Sequence, residues 1–280
     1  MITLLMSVYK GEDPAFLEAA FASIAAQTSA PEEFLLVKDG PLSAALDQVI
    51  ADHQAPLNIK TLALEKNLGL AEALNHGLRA AKQPWVMRFD TDDICAPHRI
   101  AEQRKMMMAD QVDLFGSQIA EFDDDPEAPH RARTVPLNHA EILGFSQQRN
   151  PFNHMTVCYR RQLALDCGGY PAVPYMEDYA LWVAMLARGA RASNSAEAFV
   201  LARVGAGMIG RRGGYRYALS EFKLRRLMVQ TGHQSLLPAL SIGLMRAAVF
   251  VMPTWLRKLV YSTALRKRVG PKNQSDGSTS

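Results

Sequence analysis

Apolar residues in the first ninety positions alternate between short continuous runs and longer stretches with helical spacing. The short runs predict strands at 2–8, 34–37, 57–64 and 85–89. The spaced positions predict helices at 14–27, 42–50 and 70–81, with Asp13 as the cap of the first. Strands that alternate with helices through short connections predict right-handed βαβ units, and therefore an α/β fold with a Rossmann-like, mostly parallel sheet flanked by helices.

The pattern weakens in the second half of the chain. Apolar runs predict strands at 112–116 and 118–122 and a helix at 179–187. The polar, proline-containing stretch 123–133 predicts a mobile loop.

Polar side chains follow four of the predicted strands. They are Tyr9, Lys10, Gly11 and Glu12, then Asp39, then Glu65, Lys66 and Asn67, and finally Asp90, Asp92 and Asp93. Ligands of parallel α/β sheets bind beyond the carboxyl ends of the strands. One polar group at a strand end is compatible with a solvated loop, but four at one edge favour a binding site.

The segment Asp90-Thr91-Asp92-Asp93 carries the clearest chemical signal. Three carboxylates in four residues repel one another unless a cation neutralises them, and Mg²⁺ commonly uses one or two carboxylates together with substrate phosphates. Alternate spacing lets Asp90 and Asp92 point the same way at a strand end. The competing interpretation is an acidic turn in which Asp93 caps a helix at 97–109.

Three weaker signals lie further along the chain. Glu177-Asp178 precedes the helix at 179–187 and could supply a general base, or could simply be acids favoured at a helix N-terminus. Arg211-Arg212 before Gly213-Gly214 suits a diphosphate, although a solvated basic loop has the same composition. His154 could contact a phosphate, a metal or an acceptor, or could be packed.

A series of short motifs occurs in order along the chain. The motifs are Ser7-Val8-Tyr9-Lys10-Gly11-Glu12, Lys38-Asp39-Gly40, Asn67-Leu68-Gly69-Leu70, Arg88-Phe89-Asp90-Thr91-Asp92-Asp93-Ile94, 150–156, Gly168-Gly169-Tyr170 and Glu177-Asp178-Tyr179-Ala180-Leu181-Trp182. This ordered set resembles family 2 glycosyltransferases, and most nearly the bacterial enzymes of exopolysaccharide, capsule and O-antigen assembly such as the amylovoran type. The likeness covers roughly residues 1–215.

The resemblance implies a GT-A fold, inverting transfer from a nucleotide diphosphate-sugar (a UDP-sugar by family likeness), and Mn²⁺ or Mg²⁺ as cofactor. It assigns nucleotide-sugar binding to Ser7, Tyr9, Glu12, Asp39, Asn67, Asp90, Thr91, Asp92, Arg211 and Arg212, with Asp90 and Asp92 also at the metal. Asp178 becomes the catalytic base, with Glu177 beside it. His154 and Trp182 are candidates for contact with the acceptor or a phosphate. Thr91 replaces the frequent alanine of the family, and the diphosphate-binding part varies most among relatives.

Charge is distributed unevenly, although the net charge is only +3. Residues 203–269 hold thirteen Lys or Arg and a single acid, Glu221, whereas residues 1–202 are acidic overall. We therefore expect three regions: a GT-A domain at 1–214, a basic amphipathic helical region at 215–269 and a disordered polar tail at 270–280. Three cysteines without CxxC spacing predict free thiols in a reducing compartment. The first apolar run has no basic region before it, so no signal peptide is predicted.

The apolar stretch 236–256 is about as long as the ~20 residues of a spanning helix. Arg246 lies at its middle, and Pro238 and Pro253 interrupt it, so we predict helices that lie in the membrane interface. Trp255 and Tyr261 would then lie at headgroup depth, and the basic residues would face anionic lipids. The alternative is a helical hairpin packed on the main domain or on a second copy, which makes these helices a candidate homodimer contact.

The leading hypothesis is a peripheral enzyme at the cytoplasmic, inner face of the bacterial plasma membrane that glycosylates a lipid-linked oligosaccharide. A sugar nucleotidyltransferase is a second hypothesis, but only one glycine follows the first strand where a phosphate loop needs several. A phosphatase of the haloacid-dehalogenase type would need Thr or Val at Ile94. A catalytically silent scaffold subunit is a further hypothesis, which the intact acids disfavour. Nucleic acid is not expected as a partner, because the basic residues accompany apolar helices and not aromatic stacking platforms.

Overall fold

The computed structural model describes residues 1–109, 112–204 and 213–252. The strands are β1 (Ile2–Val8), β2 (Glu33–Lys38), β3 (Ile59–Ala63), β4 (Trp85–Arg88), β5 (Ile94–Cys95), β6 (Leu114–Phe122), β7 (Arg131–Arg133), β8 (Cys158–Arg160) and β9 (Ala192–Arg203). The helices are α1 (Pro14–Ala25), α2 (Ala44–Gln54), α3 (Leu70–Ala80), α4 (Arg99–Ala109), α5 (His139–Ser146), α6 (Arg161–Asp166), α7 (Glu177–Ala187), α8 (Tyr215–Gln230) and α9 (Leu236–Val251). A short 3-10 turn spans His154–Thr156.

The strands form one nine-stranded sheet in the order β3-β2-β1-β4-β8-β6-β9-β5, with β7 paired to β6. The first four strands in this order are parallel, and β1 lies at their centre, where Leu5 pairs with Leu35 of β2 and Arg88 of β4. Beyond β4 the sheet is mixed, because β8 runs antiparallel to both β4 and β6. The α/β fold class is therefore confirmed, with its parallel strands concentrated in the first half.

Alternation along β1 places side chains on both faces of the sheet. Leu4 and Met6 pack in a core with α1 and α2, whereas Leu5 packs in a second core with α3 and α7. A strand buried on both sides reads as a continuous apolar run, which is why the run 2–8 was informative. The first helix begins as predicted, since the Asp13 carboxylate accepts a hydrogen bond from the Ala15 amide at 2.8 Å.

The second half corrects several details of the sequence prediction. The two strands expected at 112–116 and 118–122 are one strand, β6, with an irregular register at Ser117 and Gln118. The loop expected at 123–133 ends in strand β7. The short helices α5 and α6 and the strands β8 and β9 were not predicted, because their apolar runs are short or interrupted.

The last two helices form a hairpin packed on the main body. Ala218, Leu224 and Met228 of α8 and Phe250 of α9 share a core with Tyr179, Ala180 and Val183 of α7. Pro238 does not interrupt α9, because it lies in the first turn, where its missing N–H has no helical partner to lose. In the described ranges, no helix has the length and hydropathy needed to cross a membrane. Pro253, Trp255, Tyr261 and the tail at 270–280 lie outside the described residues.

Candidate active site

The acidic loop follows β4 at the carboxyl edge of the parallel strands. One carboxylate oxygen from each of Asp90, Asp92 and Asp93 lies within 4.8 Å of the others. The buried guanidinium of Arg88, only 1% exposed, pairs with the Asp90 carboxylate. This cation offsets part of the negative charge, but two further carboxylates share the same space.

Burial and mutual repulsion disfavour the ionised forms of these acids. Burial, then the charges of Asp90 and Glu12, raises the pKa of Asp92 to about 7. Burial, then Asp90 and Asp92, raises the pKa of Asp93 well above its usual value. Carboxylates crowded in this way favour a bound cation, because its charge removes the repulsion that otherwise retains protons.

Arg203, the last residue of β9, holds the acidic loop through two hydrogen bonds. Its backbone N–H donates to Asp93 Oδ1 at 2.9 Å, and its Nε donates to the Asp92 carbonyl at 3.2 Å. The guanidinium carbon lies 4.0 Å from the ring centroid of Phe16 and 4.6 Å from that of Phe122. Asp93 does not cap the next helix, since α4 begins only at Arg99, so the capping interpretation was wrong.

Residues assigned to the nucleotide line the neighbouring strand ends. Glu12 follows β1 and accepts a hydrogen bond from the Thr91 hydroxyl, which ties the end of β1 to the acidic loop. Tyr9 is half exposed and Ser7 is partly buried beside it. These side chains therefore lie at one edge of the sheet, as the strand-end pattern predicted.

Asp39 organises the loop that enters α3. Its carboxylate accepts hydrogen bonds from the Leu68 amide at 2.7 Å, the Gly69 amide at 3.0 Å and the Asn67 side chain at 3.0 Å. Gly40 has a φ of +85°, and a Cβ there would lie 2.5 Å from the Asn67 nitrogen, so only glycine fits under this loop. The structure thus shows Asp39 as the support of the Asn67 loop, and a nucleotide contact by either residue stays a prediction.

The predicted base lies in the first turn of α7. Asn150 donates through Nδ2 to Asp178 Oδ2 at 2.6 Å. Burial, then the charge of Asp178, raises the pKa of Glu177 to about 7. Glu177 is therefore a carboxyl that holds its proton near neutrality, directly beside the residue proposed to accept one.

The pKa of His154 responds to charges from both the acidic loop and the predicted base. Burial and then the Arg88 charge lower its pKa, while Asp178 and Asp90 act in the opposite direction. Its Nε2 is buried and has no hydrogen-bond partner among the described residues. The charges of Arg88, Asp90 and Asp178 all act on this imidazole, which indicates that the acidic loop and the start of α7 lie near one another.

Trp182 lies beneath this site and not at its surface. Its side chain is 0% exposed and packs in an aromatic cluster with Phe152, His154, Tyr159 and Tyr170. In this conformation its ring packs against that of His154, and none of its surface is accessible to an acceptor. Arg211 and Arg212 lie outside the described residues, so their placement over a diphosphate stays a prediction.

Sequence reasoning gave no role to two residues of the site. Arg88 pairs with Asp90 and acts on the pKa of His154, and a charged residue inside an apolar strand was an available signal. Asn150 contacts Asp178, and it opens the motif at 150–156, but the motif did not indicate which of its residues meets the base.

The described donor set fits a divalent cation. Three carboxylates converge, and Asp93 Oδ2 is buried without a hydrogen-bond partner in the described part of the chain. Hard oxygen ligands are the kind that Mg²⁺ and Mn²⁺ bind. The cluster therefore supports use of a divalent metal, with Asp90, Asp92 and Asp93 as the candidate ligands.

An α/β sheet with acids clustered at the carboxyl ends of its parallel strands has the architecture of a GT-A-type glycosyltransferase. The chain belongs to glycosyl transferase family 2, whose family model matches residues 3–169. The glycosyltransferase prediction is confirmed, and it is favoured over the nucleotidyltransferase and scaffold alternatives.

Three curated relatives match nearly their whole length. An uncharacterized glycosyltransferase of Haemophilus influenzae is 40% identical over 95% of this chain and 99% of its own. The amylovoran biosynthesis glycosyltransferase AmsE of Erwinia amylovora is 35% identical over 93% and 98%. The UDP-Gal:alpha-D-GlcNAc-diphosphoundecaprenol beta-1,3-galactosyltransferase of Escherichia coli is 34% identical over 95% and 96%. The relatives include enzymes of polysaccharide biosynthesis, the class that the motifs resembled.

Solved structures share the fold at low sequence identity. TarS 1–349 of S. aureus in complex with UDP-GlcNAc has a TM-score of 0.67 at 17% identity, over 94% of this chain and 75% of its own. The mannosyltransferase PcManGT of Pyrobaculum calidifontis, in complex with GDP-Man and Mn²⁺, has a TM-score of 0.63 at 17% identity and the same coverages. These likenesses confirm the GT-A fold.

Proposed function

We propose that this enzyme transfers a sugar, with inversion, from a UDP-sugar to a lipid-linked saccharide during assembly of a cell-surface polysaccharide. The observation that carries the proposal is the convergence of Asp90, Asp92 and Asp93 at the strand ends. The donor and acceptor classes are supported by the Escherichia coli relative, whose name specifies UDP-Gal and a GlcNAc-diphosphoundecaprenol. The UDP-GlcNAc complex of TarS supports the same nucleotide.

Asp178 is the proposed general base. It takes the proton from the acceptor hydroxyl as that oxygen forms a bond to the anomeric carbon, and the bond from this carbon to the nucleotide phosphate breaks. Attack from the face opposite the leaving group inverts the configuration in one displacement. The Asn150 hydrogen bond keeps the Asp178 carboxylate in one orientation, and the protonated Glu177 avoids a second negative charge beside it.

Asp90 and Asp92, with Asp93 as a third candidate, are the proposed ligands of Mn²⁺ or Mg²⁺. A divalent cation bound there supplies positive charge where the departing nucleoside diphosphate gains negative charge. Ser7, Tyr9, Glu12, Asp39 and Asn67 line the strand ends where the nucleoside is proposed to bind, with Thr91 holding Glu12 toward the acids. Arg211 and Arg212 are proposed to contact the diphosphate.

We also propose that the α8–α9 hairpin rests on an anionic membrane surface at the cytoplasmic face. Large apolar side chains project outward from α9, with Leu237 at 79% exposure, and the exposed set is Leu236, Leu237, Leu240, Leu244, Met245 and Val251. A 16-residue helix is about 24 Å long at ~1.5 Å per residue, which is shorter than a bilayer core but suited to lying in its interface. Exposed basic residues of α8, such as Lys223 and Arg226, can face anionic headgroups.

The donor site is tested by thermal unfolding with UDP, GDP, CDP or dTDP, each with and without Mn²⁺. A nucleotide at 100 times its Kd stabilises the fold by about 2.7 kcal/mol, which is a measurable rise in Tm. We expect UDP to give this rise only with Mn²⁺, and Asp92→Asn to lose it while its unliganded Tm does not fall. Asp178→Asn should keep the UDP response and lose transfer. Full transfer by both variants would refute the proposed mechanism.

A further inference from the structure

The segment between α5 and the His154 turn connects the C-terminal hairpin to the predicted base. Residues 146–150 leave α5, pass the hairpin and end at Asn150, whose Nδ2 donates to Asp178. The amide of Asn150 has a fixed orientation, because its Oδ1 accepts from the Phe152 N–H at 3.2 Å. Only the side-chain NH₂ group of Asn150 is then free to face the Asp178 carboxylate. The position of the backbone at residue 150 decides whether this group comes within hydrogen-bond distance.

Hairpin arginines hold this segment by its backbone carbonyls. Arg225 of α8 donates through Nη1 to the Gln147 carbonyl at 2.6 Å, and Arg246 of α9 donates through Nη1 to the Gln148 carbonyl at 3.2 Å. Gln234, in the turn between the two helices, also donates to the Gln147 carbonyl at 3.1 Å. Three donors from one hairpin therefore converge on two successive peptide groups.

A buried acid keeps both arginines in place. Glu221 has no exposed surface and accepts from Arg225 through Oε1 at 2.7 Å and from Arg246 through Oε2 at 2.9 Å. Residues 203–269 contain thirteen basic residues and no other acid. Each carboxylate oxygen of Glu221 accepts a hydrogen bond from an arginine of a different helix. Arg246, the charge at the middle of the apolar stretch, thus turns inward, toward Glu221 and the 146–150 segment.

The hairpin also contacts the start of α7 directly. The ring of Tyr217 in α8 stacks on that of Tyr175 with centroids 4.2 Å apart and planes 9° apart. Tyr175 has a φ of +68°, a conformation that a bulky residue adopts only when its surroundings hold it, and it lies two residues before Glu177. The hairpin therefore contacts both segments that define the position of Asp178.

From these contacts we propose that Asn150 is a positioning residue for the Asp178 carboxylate, and that Arg246 and Arg225 act through the 146–150 segment to keep it there. The inference rests on the proposed role of Asp178 as base. Catalytic efficiency then depends on the docking of the C-terminal hairpin, although no hairpin residue touches the reacting atoms. A hairpin that also contacts the membrane would couple the enzyme's attachment to the geometry of its base.

The first test compares Asn150→Ala with the neighbouring control Gln148→Ala, whose exposed side chain is removed while its carbonyl stays. A hydrogen bond to a charged group contributes enough free energy that its loss in Asn150→Ala should lower kcat about 10- to 100-fold. The KM for the UDP-sugar should not change.

The second test compares Arg246→Met with Arg79→Met, an exposed arginine of α3. Arg246→Met leaves Glu221 paired with Arg225, which preserves the fold, and Arg246→Lys retains the charge as a conservative variant. We expect Arg246→Met to raise amide hydrogen exchange at 147–150 and to lower kcat about 3- to 10-fold, with partial rescue by Lys and an unchanged UDP-dependent Tm shift. Arg79→Met should change neither quantity.

Three outcomes separate this inference from the proposed function. An inactive Asp178→Asn beside an Asn150→Ala variant with wild-type kcat would overturn the positioning role alone. Unchanged exchange and kcat in Arg246→Met would overturn the role of the hairpin. Full transfer by Asp178→Asn would overturn the assignment of the base, and the inference with it.

Discussion

Replacing Glu177 by Gln should stabilise the protein, and more strongly at alkaline than at acidic pH. Burial, then the Asp178 charge, raises the pKa of Glu177 from 4.5 to about 7 in the folded protein. The folded state therefore keeps a proton that the unfolded state has already lost at intermediate pH. The folding stability associated with this retained proton is fully present below the unfolded pKa of Glu177. It is lost as pH rises through the folded pKa.

The magnitude follows from the size of the shift. One pKa unit corresponds to about 1.36 kcal/mol, so the change from 4.5 to about 7 gives roughly 3 kcal/mol in total. At about pH 5.5, one unit above the unfolded pKa, the protein has already lost about 1.4 kcal/mol of folding stability. It loses about 2 kcal/mol more by about pH 8.5, where Glu177 is ionised in both states. Gln cannot ionise and avoids the loss, so its advantage over Glu should grow by about 2 kcal/mol across this range.

Urea denaturation of both proteins at the two pH values measures this difference directly. Comparing Gln with Glu at each pH cancels the other titrating groups, which the two proteins share. The control is Glu127→Gln, an exposed glutamate between β6 and β7, for which no such growth is expected. An advantage of Glu177→Gln that is constant with pH, or that shrinks toward alkaline pH, would refute the burial argument.

Two further predictions concern the C-terminal hairpin. Glu221→Gln removes the charge that two arginines share and leaves Arg225 buried, so we expect a loss of about 3–5 kcal/mol in the free energy of unfolding; a urea midpoint equal to that of the wild type would contradict this. Leu237→Gln combined with Leu244→Gln should weaken binding to phosphatidylglycerol vesicles about 10-fold or more in a sedimentation assay, because two large apolar side chains leave the interface. Transfer to a water-soluble acceptor should be unchanged, and wild-type vesicle binding together with loss of a dimer in size-exclusion chromatography would assign this face to a second copy.

The local pattern of the sequence determined the first half of the fold. Strands such as β1 and β4 are buried on both faces, so each is a continuous apolar run that is visible without a partner. Parallel strands joined by helices have their carboxyl ends at one edge, so the polar groups after them could be assigned to one site. The family resemblance added the roles of Asp90, Asp92 and Asp178, which spacing alone did not distinguish from acids at a helix start.

The tertiary structure decided everything that depends on which segments meet. β8 and β9 gain their partners from distant strands, and their short or irregular runs gave no local signal. Asp93 meets the backbone of Arg203, 110 residues away, so its burial and its raised pKa could not be read from its neighbours in sequence. Trp182 lies beneath the site because four other aromatic rings surround it.

The same distinction applies to the C-terminal helices. Composition identified a basic, apolar segment with one acid, and indicated that Arg246 would oppose insertion of this segment across a membrane. Only the packing of α8 against α9 pairs that arginine with Glu221 and directs it to the Gln148 carbonyl. Helical periodicity determines which residues share a face of a helix. The charged group that packs opposite that face lies on another element, and its sign and position decide whether a buried arginine destabilises or stabilises the protein.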